Sequence, residues 1–298
     1  MNDASNWRLA LARRVANAYG ANPKVAAAIV GGSVARGYAD RYSDIEVGVF
    51  WHQPPTDDER RAAAEATGGD VHHLYPYDPD EEVWEDNLYL GHLAPGQRAT
   101  GVLVEVPHYT TDFVERVLDD VLERHDPSEL KQSLLAIFPA AIPVHGEALI
   151  EAWRSRAAIY PRELALAVVK KHAQIEFFWR TEMFLERGNN LMLLYDTLVQ
   201  VSKSLLHLLL ALNRIYYSGF KWIHLQIRQM QVISPDFERR LREVFQSEPH
   251  TAIRELPVLV EETYTLIEKA MPEVDVERLR FLFRHRRQPW DQLPADVR

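Results

Sequence analysis

Val25 to Val30 is an almost unbroken apolar run of strand length, and it stops at Gly31-Gly32. A short run bounded in this way predicts a buried strand handing over to a turn or a helix start. Ahead of it, Trp7 to Tyr19 carries apolar residues at helical spacing. Behind it, Ile45, Val47 and Val49 alternate with Asp44, Glu46 and Gly48, the period of a strand with both carboxylates on one face and an apolar opposite face. Pro54 and Pro55 end that strand. Thr56-Asp57-Asp58-Glu59 predicts a capped helix to about Ala66, with acids in its first turn where the helix dipole favours them, and Gly68-Gly69 stops it. Val71 to Tyr75 reads as a further strand and Asp78 to Asp86 as an acidic helix or loop. Gly101 to Pro107 reads as a third motif-bearing strand, ended by its proline.

From about Glu147 the period becomes helical. Pro161 suits the first turn of a helix running to about Arg187, broken at Gly188-Asn189-Asn190. The next helix, from about Leu191 to Tyr217, is apolar almost all round between Ser204 and Leu210, as expected of the buried centre of a bundle, and Ser218-Gly219 ends it. Pro235 and Pro257 sit near later helix starts. The pattern predicts an α+β protein: residues 1–143 form a small mixed sheet flanked by helices, and residues 144–298 form an all-α helical bundle.

Composition narrows the classes. A chain of 298 residues with 47% hydrophobic content can bury a large core and suits two ordinary domains. It has no cysteine, which rules out a disulfide framework, a thiolate metal site and a cysteine nucleophile. No basic-then-apolar leader and no run near eighteen apolar residues is present, so neither export nor membrane spanning is expected, and a cytoplasmic location is. Charge is uneven, −11 over residues 1–143 and +2 over the rest. Nucleic-acid binding draws on cationic contacts to phosphate, so an acidic first half argues against a polynucleotide partner and suits a cationic acceptor. Acidic surfaces also serve solubility alone.

The candidate chemistry lies where the first two strands meet. Gly31-Gly32-Ser33-Val34-Ala35-Arg36-Gly37 is followed at once by Ser43-Asp44-Ile45-Glu46. Glycine lets backbone N–H groups approach an anion closely, and Ser33 adds a hydroxyl donor. Asp44 and Glu46 lie within about 7 Å on one strand face and repel unless a cation sits between them, which a hard ion such as Mg²⁺ with substrate phosphates would satisfy. Either piece alone reads first as an ordinary turn or a solvated strand face; together they point to a triphosphate site. Glu105 is the lone carboxylate of an apolar strand, where an unpaired charge costs several kcal/mol without a compensating cation or proton. A salt-bridged strand glutamate is its other reading. On the predicted helix after Pro161, His172, Glu176 and Arg180 are spaced by four and share one face, which is equally the pattern of a surface ion pair. His72, His73 and His207 are assigned no role.

The glycine-glycine-serine turn followed by an acidic pair resembles the nucleotidyltransferase superfamily that includes DNA polymerase beta. Gly32 to Gly37 and Tyr42 to Glu46 are similar to its kanamycin (aminoglycoside) nucleotidyltransferase branch, including glutamate as the second acid. That resemblance implies a first domain binding a nucleoside triphosphate and Mg²⁺, with two ions, and a second serving acceptor binding and dimerisation. It implies Asp44, Glu46 and Glu105 as metal ligands and Gly32, Ser33, Arg36 and Ser43 as nucleotide-binding. It also brings Glu176 into position as the acceptor's base, with Glu105 as the substitute, and Arg180 and Lys221 as phosphate contacts. The implied reaction moves a nucleoside monophosphate, AMP from ATP in the leading case, to a hydroxyl of a small molecule such as an aminoglycoside-like antibiotic, and releases pyrophosphate. A homodimer is expected. A protein- or tRNA-modifying nucleotidyltransferase of the antitoxin kind, and a nucleotide-binding module without turnover, are the alternatives.

Overall fold

The computed structural model of the protein describes residues 1–91, 101–188 and 190–287. Its contacts divide the chain into two units, Met1–Tyr160 and Pro161–Arg298.

In the first unit the order is α1 (Asp3–Gly20), β1 (Val25–Val30), α2 (Gly32–Arg36), β2 (Ile45–Trp51), α3 (Asp57–Ala66), β3 (Asp70–Asp78), β4 (Val83–Leu90), β5 (Val102–Thr110), α4 (Thr111–Leu122), α5 (Glu129–Leu135), β6 (Ile142–His145) and α6 (Glu147–Ala157). The strands form one mixed sheet in the order β3-β4-β5-β2-β1-β6. Only β2 and β5 run parallel; the other neighbours are antiparallel. The predicted capping box is present, with Glu59 N–H donating to Thr56 Oγ1 and Thr56 N–H donating to Glu59 Oε2.

Strand alternation divides the sheet into two faces. Ile45, Val47, Val49 and Trp51 of β2, with Val104 and Val106 of β5 and Leu88 and Leu90 of β4, pack against Ala12, Val15, Ala16 and Tyr19 of α1 and Ala63 and Ala64 of α3. The other face carries Phe50, whose ring meets those of Trp153 at 5.0 Å, Tyr109 at 6.1 Å and Phe138 at 6.2 Å. Glu46 and Glu105 belong to this second face by alternation. So does Gly48, where a Cβ would stand 3.1 Å from Ile29 Cγ1.

Three sequence expectations change in this unit. Asp78–Asp86 is not a helix or loop throughout, because β4 begins at Val83; Asp86, Leu88 and Leu90 alternate inward, and Asp86 hides the pattern by being polar yet fully buried. β5 is not ended by Pro107 but runs on to Thr110. The β2–β5 ladder pairs Ile45 with Val104, Glu46 with Glu105 and then Val49 with His108, so the proline falls where rungs are missing and its absent N–H is tolerated. The units divide at 160/161 rather than 143/144, because β6 pairs with β1 and α6 buries Trp153 under the sheet.

The second unit contains α7 (Arg162–His172), α8 (Arg180–Glu186), α9 (Leu191–Leu212), α10 (Ile223–Ile227), α11 (Phe237–Gln246), α12 (Pro249–Ala270) and α13 (Val276–Arg284), with no strand among its described residues. α9 packs against α7, α8 and α12 and buries Leu205 through Leu212. Of the predicted break at Gly188-Asn189-Asn190, Asn189 lies outside the described residues. The helix after Pro161 does not reach Arg187; it ends at His172. The chain then leaves the helix to bury Ile175 and Phe178, the Ala173 carbonyl accepts from Tyr264 Oη at 2.8 Å, and Phe177 takes a left-handed φ of 60°. α9 stops at Leu212 rather than Tyr217. Asn213 ends it by accepting from the Gln231 and Val232 N–H groups at 2.7 and 2.8 Å and donating to the Val232 carbonyl at 2.8 Å. Pro257 lies inside α12, not at a start; Pro249 occupies the first turn. No helix among the described residues is long and apolar enough to cross a membrane.

Candidate functional site

β1 delivers the chain to Gly31, whose N–H donates to the Glu46 carbonyl at 3.0 Å and so anchors the turn to β2. Gly32 follows with φ +58°, a left-handed conformation that favours glycine. A Cβ there would lie 2.5 Å from Glu46 Cδ and 2.7 Å from its Oε1. The Glu46 carboxylate therefore lies directly against the bare turn. α2 has only five residues and Gly31 caps it without a side chain, so its dipole adds little and the glycine backbone is what matters. Ser33 lies in this helix and is 6% exposed.

The loop that brings Asp44 to the start of β2 is held by α1. Asn2 Nδ2 donates to the Ala39 carbonyl at 2.9 Å, Ala39 N–H donates to Ser5 Oγ at 3.0 Å, and the nearly buried Arg8 donates through Nε to the Ser43 carbonyl at 3.0 Å. Inside the loop Asp40 accepts from the Tyr42 N–H at 2.9 Å and the Ser43 hydroxyl at 3.0 Å, and these bonds hold its carboxyl below the usual range. Ser43, expected at nucleotide, is engaged in this turn. Arg36 closes α2 and donates through Nη2 to the Ala136 carbonyl at 3.2 Å. Sequence reasoning missed Ser5, Arg8 and Asp40; no local pattern in α1 announces a partner more than thirty residues away.

Glu46 and Glu105 are register partners on the parallel strands β2 and β5, so they stand level on the same face. The row continues through Asn87 on β4 to His73 on β3. The face is electronegative: burial together with Glu81, Glu85 and Glu46 pushes the Tyr109 hydroxyl up, and burial with Glu81 and Asp86 raises the Glu85 carboxyl. Strand register and the loop bring the three acids to one end of β2 and β5. The residues fit Mg²⁺. The donor set is all oxygen, neighbouring strands stand about 4.8 Å apart, and the Glu46 carboxylate lies against the glycine turn where phosphate would be received.

The opposite face of the same strands holds a buried polar chain that the sequence reading did not single out. Trp51 Nε1 donates to His108 Nδ1 at 3.1 Å, and His108 Nε2 lies 2.8 Å from Asp86 Oδ2, which also accepts from Tyr19 Oη at 2.8 Å. Arg60 pairs with Asp86 Oδ1 and donates to Asp57 Oδ1 at 2.7 Å. Trp51, Tyr19, Arg60, Asp86 and His108 are all fully buried. The Trp51 donor makes Nδ1 an acceptor, so Nε2 carries the proton toward Asp86. Burial holds His108 below its ordinary value against the pull of Asp86. Burial alone would raise Asp86, but the bond to His108 and the charge of Arg60 outweigh it and keep the carboxyl low.

Glu176, Arg180 and Lys221 belong to the second unit. The shared helix face expected of His172, Glu176 and Arg180 does not exist: His172 ends α7, Glu176 lies in the non-helical stretch and accepts from Gln174 Nε2 at 2.5 Å, and Arg180 begins α8. The Arg180 guanidinium lies 4.4 Å from the centre of the Phe177 ring. Lys221 is exposed in the turn before α10.

A family described as a domain of unknown function, DUF4037, matches residues 129–223, which include neither the glycine turn nor the three acids. No curated protein matches the chain. Among solved structures, a nucleotidyltransferase-like protein from Exiguobacterium sibiricum 255-15 is 15% identical over 88% of this chain and 79% of its own, with a TM-score of 0.37, a likeness too loose to assign fold or activity.

Proposed function

We propose that the first unit binds a nucleoside triphosphate with Mg²⁺ and transfers its nucleotidyl group to an acceptor hydroxyl. The observation that supports this best is the level pairing of Glu46 with Glu105, with the Glu46 carboxylate seated directly against a left-handed glycine turn. Asp44, Glu46 and Glu105 would hold the ion. Bound there, Mg²⁺ would neutralise phosphate charge and polarise the phosphoryl oxygens. The Gly32-Ser33 turn grips the β- and γ-phosphates through backbone and hydroxyl donors. The acceptor oxygen attacks the α-phosphorus in line, its O–H proton passes to Glu105, and pyrophosphate leaves with the electron pair of the broken P–O bond. ATP is the leading donor, and a small hydroxylated cation of the aminoglycoside kind is the leading acceptor, in keeping with the acidic first half of the chain.

Incubating the protein with α-labelled ATP, Mg²⁺ and a panel of aminoglycosides, lincosamides, tRNA and candidate proteins tests this reading. Label should move to one acceptor class in the wild type and to none with Asp44→Asn. Transfer that survives Asp44→Asn, or label on no acceptor, would refute it.

A further inference from the structure

Glu105 can stand level with Glu46 only while β5 keeps one register against β2. A slip of one residue would send its side chain to the opposite face of the sheet. The ladder that should enforce this register is weakened close by, since no rungs join Val106 and Pro107 to β2, and proline has no N–H to offer. Pairing resumes at Val49 and His108. There the His108 ring bonds sideways in both directions, accepting from Trp51 on β2 and facing Asp86 on β4. Asp86 is in turn tied to α1 through Tyr19 and to α3 through Arg60. Both polar atoms of the imidazole are used, in a fully buried place where an unmet partner is expensive.

We propose that His108 is a positioning residue for the acidic pair: joined to Trp51 and Asp86 across three strands, it fixes the β2–β5 register past Pro107 and so keeps Glu105 beside Glu46. What the pair is for rests on the nucleotidyl-transfer reading; that His108 sets it does not. A slipped strand would have to pull the ring from both partners, leaving the Trp51 N–H and one Asp86 oxygen short of a bond. In the observed register every one of these groups is met. The side-chain chain thus replaces, on one face, what the backbone ladder lacks.

The chain has no cysteine, which allows a direct test of register. Level residues on neighbouring strands lie about 4.8 Å apart, within the Cα separation that a disulfide spans. The full-length protein carrying Glu46→Cys and Glu105→Cys is oxidised, and disulfide formation is timed in three further backgrounds. His108→Leu should slow bridging about tenfold at equal folded fraction. His108→Gln, whose amide offers one donor and one acceptor, should restore it to within about threefold, and Trp51→Phe should fall between. A role confined to stability would lower the melting temperature and leave the bridging rate of the folded protein unchanged. Bridging at the parent rate in folded His108→Leu overturns the proposal, and if that variant does not fold, an unchanged rate in Trp51→Phe does so. Label transfer in the wild type is scored separately: its absence alongside His108-dependent bridging sinks the transferase reading and leaves the positioning role standing.

Discussion

Gly32→Ala should separate the stability of the first unit from the function of its turn. The new methyl meets two penalties. An L-residue held at φ +58° costs about 1–2 kcal/mol, and the Cβ, 2.5 Å from Glu46 Cδ, forces that side chain from its rotamer at about 0.5–1.5 kcal/mol. The total, about 2 kcal/mol, corresponds to a fall in melting temperature of roughly 4–8 °C for a unit of this size. Turnover should suffer far more, since a reacting group displaced by about 1 Å can cost about 10²-fold. Gly48→Ala is the matched control. It sits two residues along the same strand face, and its Cβ would press Ile29 Cγ1 at 3.1 Å, an overpacking worth about 1–3 kcal/mol that leaves the Glu46 carboxylate in place. Melting curves and α-labelled ATP transfer, measured well below both transitions, compare the two. Gly32→Ala should lose about a hundredfold and Gly48→Ala less than about threefold. Equal losses in both would show that the carboxylate's seat against the turn has no part in the reaction.

Three further expectations follow from the same geometry. Glu105→Gln, which removes the proposed base, should lose the acidic limb of the pH–rate profile, and a limb that survives would contradict that role. Asp86→Ala removes a buried acceptor shared by Arg60, His108 and Tyr19 and should cost about 3–5 kcal/mol in urea unfolding; a loss under about 1 kcal/mol would show that the chain carries little of the fold's stability. Because burial lowers His108 below the ordinary imidazole value of 6.5, the unfolded chain takes up that proton first. The histidine's contribution is therefore complete above about pH 6.5 and is lost as pH falls toward its folded value, so His108→Gln should flatten the decline of the urea midpoint below about pH 6.5.

Local pattern determined much of the first unit. Val25–Val30, the glycine turn, the Ile45 strand and the Thr56-capped helix appear where the residues place them, since each depends on neighbours within a turn or on a period of two. The candidate acids were legible for the same reason. What tertiary structure alone decided was everything that a distant partner can override. Asp86 reads as a surface acid until Arg60, Tyr19 and His108 surround it, and only then is its stretch a buried strand. Pro107 reads as a strand end until the missing rungs beside β2 make room for it. Glu176 reads as one face of a helix until the burial of Ile175 and Phe178 draws the chain out of that helix. The level pairing of Glu46 with Glu105 is of the same kind, because a parallel register joins strands separated by a hairpin and no residue near either glutamate encodes it.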